Sequence, residues 1–350
     1  MNKISRRGFL RFLAAGLSFL GLSSLLGCKE GEKAISKSFS EGGKSAKLPS
    51  ATATNPPTPT DLPTATVPEP TMTWTPKPTP VPPHIAVARN GDPEIMVRKA
   101  LAALGGMERF VKQGDDVIIK PNICVGYHTY EYAATTNPWV VGALVKLALG
   151  AGARRVRVMD YPFGGPAPQA YAKSGIQKQV QAAGGKMEVM SGFKFVKTNI
   201  EKGKSLKSCR IYDEVLKADV LINVPIAKHH GMAHLTLGMK NLMGVIYNRP
   251  QIHNNYGQRL ADLNSRVKSD LVVVDAVRML LRNGPSGGNL GDVRKADTVI
   301  ASPDVVAADS YAATLFNVEP NGLRYVRAGS EMGLGRSDLG NLKIEEINVG

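Results

Sequence analysis

The sequence predicts an α/β protein: a mainly parallel sheet with helices on both faces, and a small antiparallel insertion near 193–212. Three observations point there. Short apolar runs alternate with helical stretches from residue 84 onward. One run, 218–224, is apolar almost throughout, as a strand buried on both faces requires. Polar side chains follow several of these runs, where open α/β sheets bind their ligands.

The chain begins in another style. Ser5-Arg6-Arg7-Gly8-Phe9-Leu10-Arg11 resembles a twin-arginine export signal. The apolar run 12–26 behind it is too short for a stable membrane span. Leu25-Leu26-Gly27-Cys28 looks like a lipobox, with Cys28 as the lipidated new N-terminus; an uncleaved anchor is the alternative. Residues 1–28 thus read as a signal peptide of a lipoprotein, exported and anchored to the outer face of the cytoplasmic membrane. Twin-arginine export carries folded proteins, often with a cofactor already inserted, but names no cofactor here. Residues 29–83 hold 12 of the 23 prolines, interleaved with threonine, and read as an extended, disordered stalk.

Residues 84–350 read as one α/β domain. His84–Ala88 is a first strand, and Asp92-Pro93 caps a helix through about Leu104. Strand Asp116–Lys120 runs directly into Pro121-Asn122. Asn137-Pro138 opens helix Trp139–Leu149, and Arg155–Asp160 is the next strand. A helix over Gln169–Ala183 and a strand over Lys186–Met190 follow. Phe193–Ile200 and Leu206–Tyr212 form the antiparallel insertion. The main alternation resumes with 218–224, a polar helix Gly257–Lys268, strand Asp270–Asp275 and strand Asp297–Ala301. Helix Pro303–Phe316 has Ser302 as its cap, and Lys343–Val349 is a last edge strand.

The formal charge is +15, with 34 Lys/Arg against 24 Asp/Glu in residues 84–350. That balance suits an anionic small molecule or surface. No basic face with interleaved aromatics indicates nucleic acid. Beyond Cys28 only Cys124 and Cys209 remain, too few to ligate an iron–sulfur cluster. They read as two buried thiols in preference to a disulfide.

The stretch Asn223–Gly244 concentrates three of the six histidines, with lysines and asparagines, directly behind a buried strand. Lys228, His230 and Lys240 are the candidate catalytic groups, because a buried edge makes pKa tuning cheap. Lys120, Asn122, Asn241, His253 and Asp275 are candidate ligand-binding groups. His230, His234 and His253 are candidate metal ligands; His230 and His234 have the four-residue spacing of a helical zinc pair but lack the metalloprotease glutamate. Lys240, set among apolar residues and glycines, needs an anion: a ligand, or internally Asp262, Asp275 or Asp309. Gly284-Pro-Ser-Gly-Gly288 fits the nucleophile-elbow pattern but lacks its strand and helix, so it reads as a glycine loop. Gly150 and Gly152 lie on the wrong side of a βα unit for dinucleotide binding.

From about His84 to Phe316 the chain resembles the family called domain of unknown function 362. The likeness rests on Ile119-Lys-Pro-Asn122, Asn137-Pro138, 218–225, Lys228-His-His230, Lys240–Gly244, His253, Asn283-Gly-Pro285 and Ala308-Asp309. The resemblance implies a shared pocket but no settled reaction. Relatives with added ferredoxin-like modules suggest redox work; this chain lacks those cysteine clusters, so electrons would need a separate redox partner. A fainter likeness, Gly-x-Lys-x-x-x-Gly at Gly238–Gly244, is similar to the nickel-pincer lactate racemases. The expectation is an enzyme of redox or proton-transfer chemistry on an anionic organic molecule, an oxidoreductase or isomerase in preference to a hydrolase. The alternatives are a non-catalytic solute-binding or scaffold lipoprotein and a racemase-like enzyme.

Overall fold

A computed structural model describes residues 83–350. The export signal, Cys28 and the proline-rich stalk lie outside the described residues. Among those described, no helix is long and apolar enough to cross a membrane.

The first half builds one layer on the sheet. It comprises β1 (Ile85–Arg89), α1 (Pro93–Ala103), β2 (Asp116–Pro121), α2 (Pro138–Gly150), β3 (Arg155–Val158), α3 (Ala167–Lys173), α4 (Ile176–Ala182) and β4 (Lys186–Met187). Asp92 caps α1 by accepting from the Glu94 amide, and Asn137 caps α2 by accepting from the Trp139 amide; each helix has its proline in the first turn, where no donor is lost. The helix expected over 169–183 is two short helices instead. Gly175 lies between them in the left-handed region, at φ 79°, which ends α3 and redirects the chain. The strand expected over 186–190 is only two residues long.

The insertion is a separate two-stranded antiparallel sheet, β5 (Phe195–Asn199) with β6 (Ser208–Tyr212). After the short α5 (Asp213–Lys217) come β7 (Val220–Val224), β8 (Ile226–His230), β9 (His234–Thr236), α6 (Gly238–Asn241), α7 (Pro250–His253) and α8 (Tyr256–Arg266). The chain closes with β10 (Leu271–Leu280), β11 (Val293–Ser302), α9 (Val305–Thr314), α10 (Arg324–Glu331) and β12 (Ile344–Asn348). Asp304, not Ser302, caps α9: its carboxylate accepts from the Ala307 amide.

The main sheet runs β12-β1-β11-β10-β7-β2-β3-β4, with β8 beside β10 and β9 beside β8. Only the pairings of β11 with β1 and β10, and of β8 with β9, are antiparallel. The strand expected over 297–301 is therefore longer than anticipated and reversed in direction. β12 is the edge strand, parallel to β1. Strand side chains alternate between two cores: Val117, Ile119, Ile222 and Val273 face α1, α2 and α4, whereas Ile118, Leu221, Val272 and Val274 face α8, α9 and α10. Burial of this central sheet on both sides explains the apolar run 218–224.

Candidate functional site

The parallel strands β2, β3 and β7 end at one edge, and there the chain crosses between the two layers. A cavity of about 360 Å³ opens at that edge. Lys120, Asn122, Cys124, Asp160, His230, Lys240, Asn241, Arg249 and His253 contribute to its wall. Five of the predicted binding or catalytic residues in 120–241, together with His253, thus meet around one space. A wider cleft of about 530 Å³ lies at the opposite, amino ends of β7 and β10, and none of these residues lines it.

The floor is a saturated polar network. Lys120, 1% exposed, places its ammonium 2.9 Å from Asp160 Oδ1. It also donates to Asn241 Oδ1 at 2.9 Å and to the Pro121 carbonyl at 2.9 Å. Burial pulls the Lys120 pKa down to about 8, against the opposing pull of Asp160. Asn241, 2% exposed, is the hub: its Oδ1 also accepts from Asn122 Nδ2 (2.9 Å), and its Nδ2 donates to Asn223 Oδ1 (2.8 Å). Asn122 Oδ1 in turn accepts from Lys228 Nζ at 3.0 Å. Both amides are spent on positioning lysines, so Asn122 and Asn241 shape the wall more than they offer free groups to a ligand.

Gly244 lets this network close. A β-carbon there would overlap Asp160 Oδ1 and come within 2.5 Å of the Lys120 ammonium. The polypeptide passes over the Lys120–Asp160 pair at a separation only glycine permits.

Lys228 is the first correction. Its ammonium is buried behind the wall, where it donates to the Ala134 carbonyl (2.6 Å), the Pro285 carbonyl (2.9 Å) and Asn122 Oδ1. Three protons meet three oxygens, with Cys124 Sγ alongside at 3.4 Å. It ties the loops around 134 and 285 to β8 and does not line the cavity. Asp275 is the second correction. Fully buried, its carboxylate accepts from the amides of Asn137 (2.6 Å) and Val277 (3.0 Å), fixing the start of α2. Burial raises its pKa to about 7 despite those bonds.

The third correction concerns the histidines. Residues 226–236 form a hairpin, in which His230 and His234 are paired across antiparallel strands and do not share a helical face. His234 lines a neighbouring cleft, while His230 and the exposed His253 line the cavity. Among the described residues no group of three His, Cys, Asp or Glu is arranged to hold a metal ion. His229, the more conspicuous neighbour, accepts at Nδ1 from the Gly284 amide at 3.1 Å and anchors the glycine loop. That loop reaches the cavity through Pro285, and it joins two strands, so no nucleophile elbow is formed.

His230 Nδ1 accepts from the amides of Met232 (3.2 Å) and Ala233 (3.3 Å). Burial, reinforced by the charge of Lys240, lowers its pKa to about 3. The imidazole is therefore neutral at pH 7, and with Nδ1 accepting, Nε2 carries the proton.

Lys240 is held by its short helix. Asp309, reaching from α9, accepts from the Gly238 (2.6 Å) and Met239 (2.8 Å) amides and so sets the first turn of α6. Asp262 is likewise taken, by the amides of Lys204, Ser205 and Leu206. None of the three aspartates considered as internal partners pairs with Lys240. Among the described residues its ammonium has no carboxylate partner, and burial together with the Lys228 charge brings its pKa to about 7.

Arg249, Asp160 and Cys124 were not among the candidate site residues. Arg249 lies beyond the histidine-rich stretch; its guanidinium donates to the Met243 carbonyl (3.0 Å) and lies 5.3 Å from the Tyr161 ring centre. Asp160, a carboxylate ending a strand, carried a legible signal. Cys124 had none beyond its nearness to Asn122. Cys124 and Cys209 are both free, buried thiols, and burial pushes Cys209 up to about 11.

Fold and site together define an α/β protein with a cation-rich cavity at the carboxyl edge of a mainly parallel sheet. The sequence pattern of the domain of unknown function DUF362 matches residues 117–314, more than half of the chain, and the chain belongs to that family. The thylakoid-associated protein sll1697 of Synechocystis is 28% identical over 253 residues, covering 68% of this chain and 74% of that protein. Among solved structures, the lactate racemase apoprotein of Thermoanaerobacterium thermosaccharolyticum matches with a TM-score of 0.39 and 13% identity, over 61% of this chain and 53% of that one. A Thermotoga maritima protein matches with a TM-score of 0.39 and 12% identity, over 65% of this chain and 60% of that one. The chain thus spans little more than half of either structure, and nothing about its chemistry follows from them.

Proposed function

We propose that the chain is an exported, lipid-anchored enzyme whose cavity binds an anionic small organic molecule and carries out redox or proton-transfer chemistry on it. The leader through Cys28 supports the export and anchoring, and residues 29–83 would act as the stalk of a folded domain from residue 84. The observation that carries the binding reading is Lys240, a cavity-lining ammonium with no carboxylate partner among the described residues and with Arg249 beside the same space. A charge so placed is costly without an anion, so a ligand is its natural partner.

The two titratable groups divide the work. Lys240, near pKa 7, exists in both forms at neutral pH and suits general acid–base transfer. His230, neutral and protonated at Nε2, suits hydrogen bonding to a carbonyl oxygen that gains negative charge as the adjacent carbon loses a proton or the carbonyl carbon accepts a hydride. Electrons, if moved, would go to a separate redox partner or a cofactor of unspecified kind.

Mass spectrometry of the N-terminus of protein purified from an export-competent host tests the lipid anchor. Titration calorimetry with small organic acids tests the cavity, and Lys240→Met should abolish binding. Unchanged affinity in that variant would sink the reading. A solute-binding protein without turnover is the second reading, favoured by the full engagement of Lys120, Lys228, Asn122 and Asn241 in structural bonds. It predicts that His230→Ala alters affinity alone, whereas the enzyme reading predicts lost rate with retained affinity.

A further inference from the structure

We infer that the ligand is an amphipathic anion, with its charged end at Lys240 and His230 and an apolar body, aromatic or aliphatic, lying outward against Tyr161, Phe163 and Met232. This rests on the reading that the cavity takes an anion, and adds what kind.

The argument is a gradient of chemistry across the cavity. Its inner wall is polar and buried: Lys120, Asn241 and Asp160 are at most 4% exposed. Its outer wall is apolar and open: Phe163 is 56% exposed and Met232 53%. Half-buried Tyr161 also lines the cavity, with Arg249 over its ring, and Met243, 7% exposed, adds a buried apolar contact. Exposed large apolar side chains beside a binding cavity are costly unless something covers them. Methionines suit such a wall because the flexible thioether adapts to varied shapes.

The apolar path continues beyond the mouth. Tyr161 stacks toward Tyr247 at 6.3 Å between ring centres, and Tyr247 meets Phe195 edge-on at 5.4 Å. Tyr247 is itself exposed, so an aromatic strip leads from the cavity to the surface. Volume points the same way. A space of about 360 Å³ holds on the order of a dozen waters at ~30 Å³ each, so an inorganic anion or a two-carbon acid would fill a fraction of it. One anchoring charge inside and several apolar groups outside match a molecule with one charged end and one greasy end.

The test is calorimetry on the full chain at pH 6.5 with acetate, benzoate and 2-naphthoate, alongside neutral 2-naphthol. The expected result is a dissociation constant that tightens about tenfold with each added ring. Naphthol should bind at least tenfold more weakly than naphthoate. Phe163→Ser combined with Met232→Ser, both at exposed positions, should compress the series, and Lys240→Met should abolish binding of every acid. A matched set of alkanoates separates aromatic from aliphatic preference. Naphthoate binding no more tightly than acetate overturns this inference while leaving the anion reading intact. Naphthol binding as tightly as naphthoate, or no acid binding at all, removes the anion reading and the inference with it.

Discussion

The ammonium of Lys120 and the carboxylate of Asp160 face each other at 2.9 Å, both almost wholly buried, with the backbone of Gly244 packed against them. This pair joins the carboxyl ends of β2 and β3 beneath the cavity, and much of the site is built on it. Removing one partner leaves the other charge buried and uncompensated. Asp160→Asn should lower stability by ~3–5 kcal/mol, read from urea unfolding. The double variant Lys120→Met, Asp160→Asn should recover part of that loss. Full additivity of the two single effects would mean the pair is not coupled as described.

Gly244→Ala tests the close approach. The added methyl group overlaps the Asp160 carboxylate, so the strand ends must separate or the pair must open. Overpacking of this kind should cost ~1–3 kcal/mol and disorder the cavity floor. A crystal structure of the variant with an undisturbed Lys120–Asp160 distance would contradict the account.

Lys240 sets a pH dependence for binding. Its folded pKa, about 7, lies below the ordinary lysine value, so the ammonium is lost as pH rises through 7. Affinity for an organic anion should fall across that step, and calorimetry at pH 6 and pH 8 measures it. Between about 7 and 10 the unfolded chain holds a proton that the ligand-free fold has released, so stability from this group rises with pH. Lys240→Met should stabilise the ligand-free protein at pH 6 by ~1–2 kcal/mol while destroying binding.

His230 acts on the acid side. The folded imidazole titrates at about 3, whereas an unfolded histidine takes up its proton near 6.5. The unfolded state therefore binds the extra proton in that window, and stability contributed by this group is lost as pH falls from about 6.5 toward 3. His230→Gln should show a shallower loss of unfolding free energy between pH 6.5 and 4 than the parent. Identical slopes would show that His230 is not held neutral by its surroundings.

Asp275 separates structure from chemistry. Asp275→Ala leaves two buried amides, those of Asn137 and Val277, without an acceptor, at ~1–3 kcal/mol each. Because the side chain does not reach the cavity, ligand affinity measured well below the melting temperature should stay near the parent value. A large loss of affinity in a folded variant would return Asp275 to the binding site.

The alternation of elements was legible because local chemistry dictates it. Asp92 and Asn137 carry a cap oxygen beside a first-turn proline, and 218–224 has the unbroken apolar run of a strand covered on both sides. Lys120, Asn122, His230, Lys240 and Asn241 were legible as a site because each follows a strand or interrupts an apolar run with a polar group. What each does was decided only in three dimensions. Lys228 and Asp275 look like Lys240 and Asp160 in sequence, but partners far along the chain, such as the Ala134 carbonyl and the Asn137 amide, consume their hydrogen-bonding capacity. Arg249 entered the cavity through a loop with no periodic signal. Local pattern sets which segments become strands and helices, whereas the availability of a side chain depends on distant groups that only folding brings within hydrogen-bonding reach.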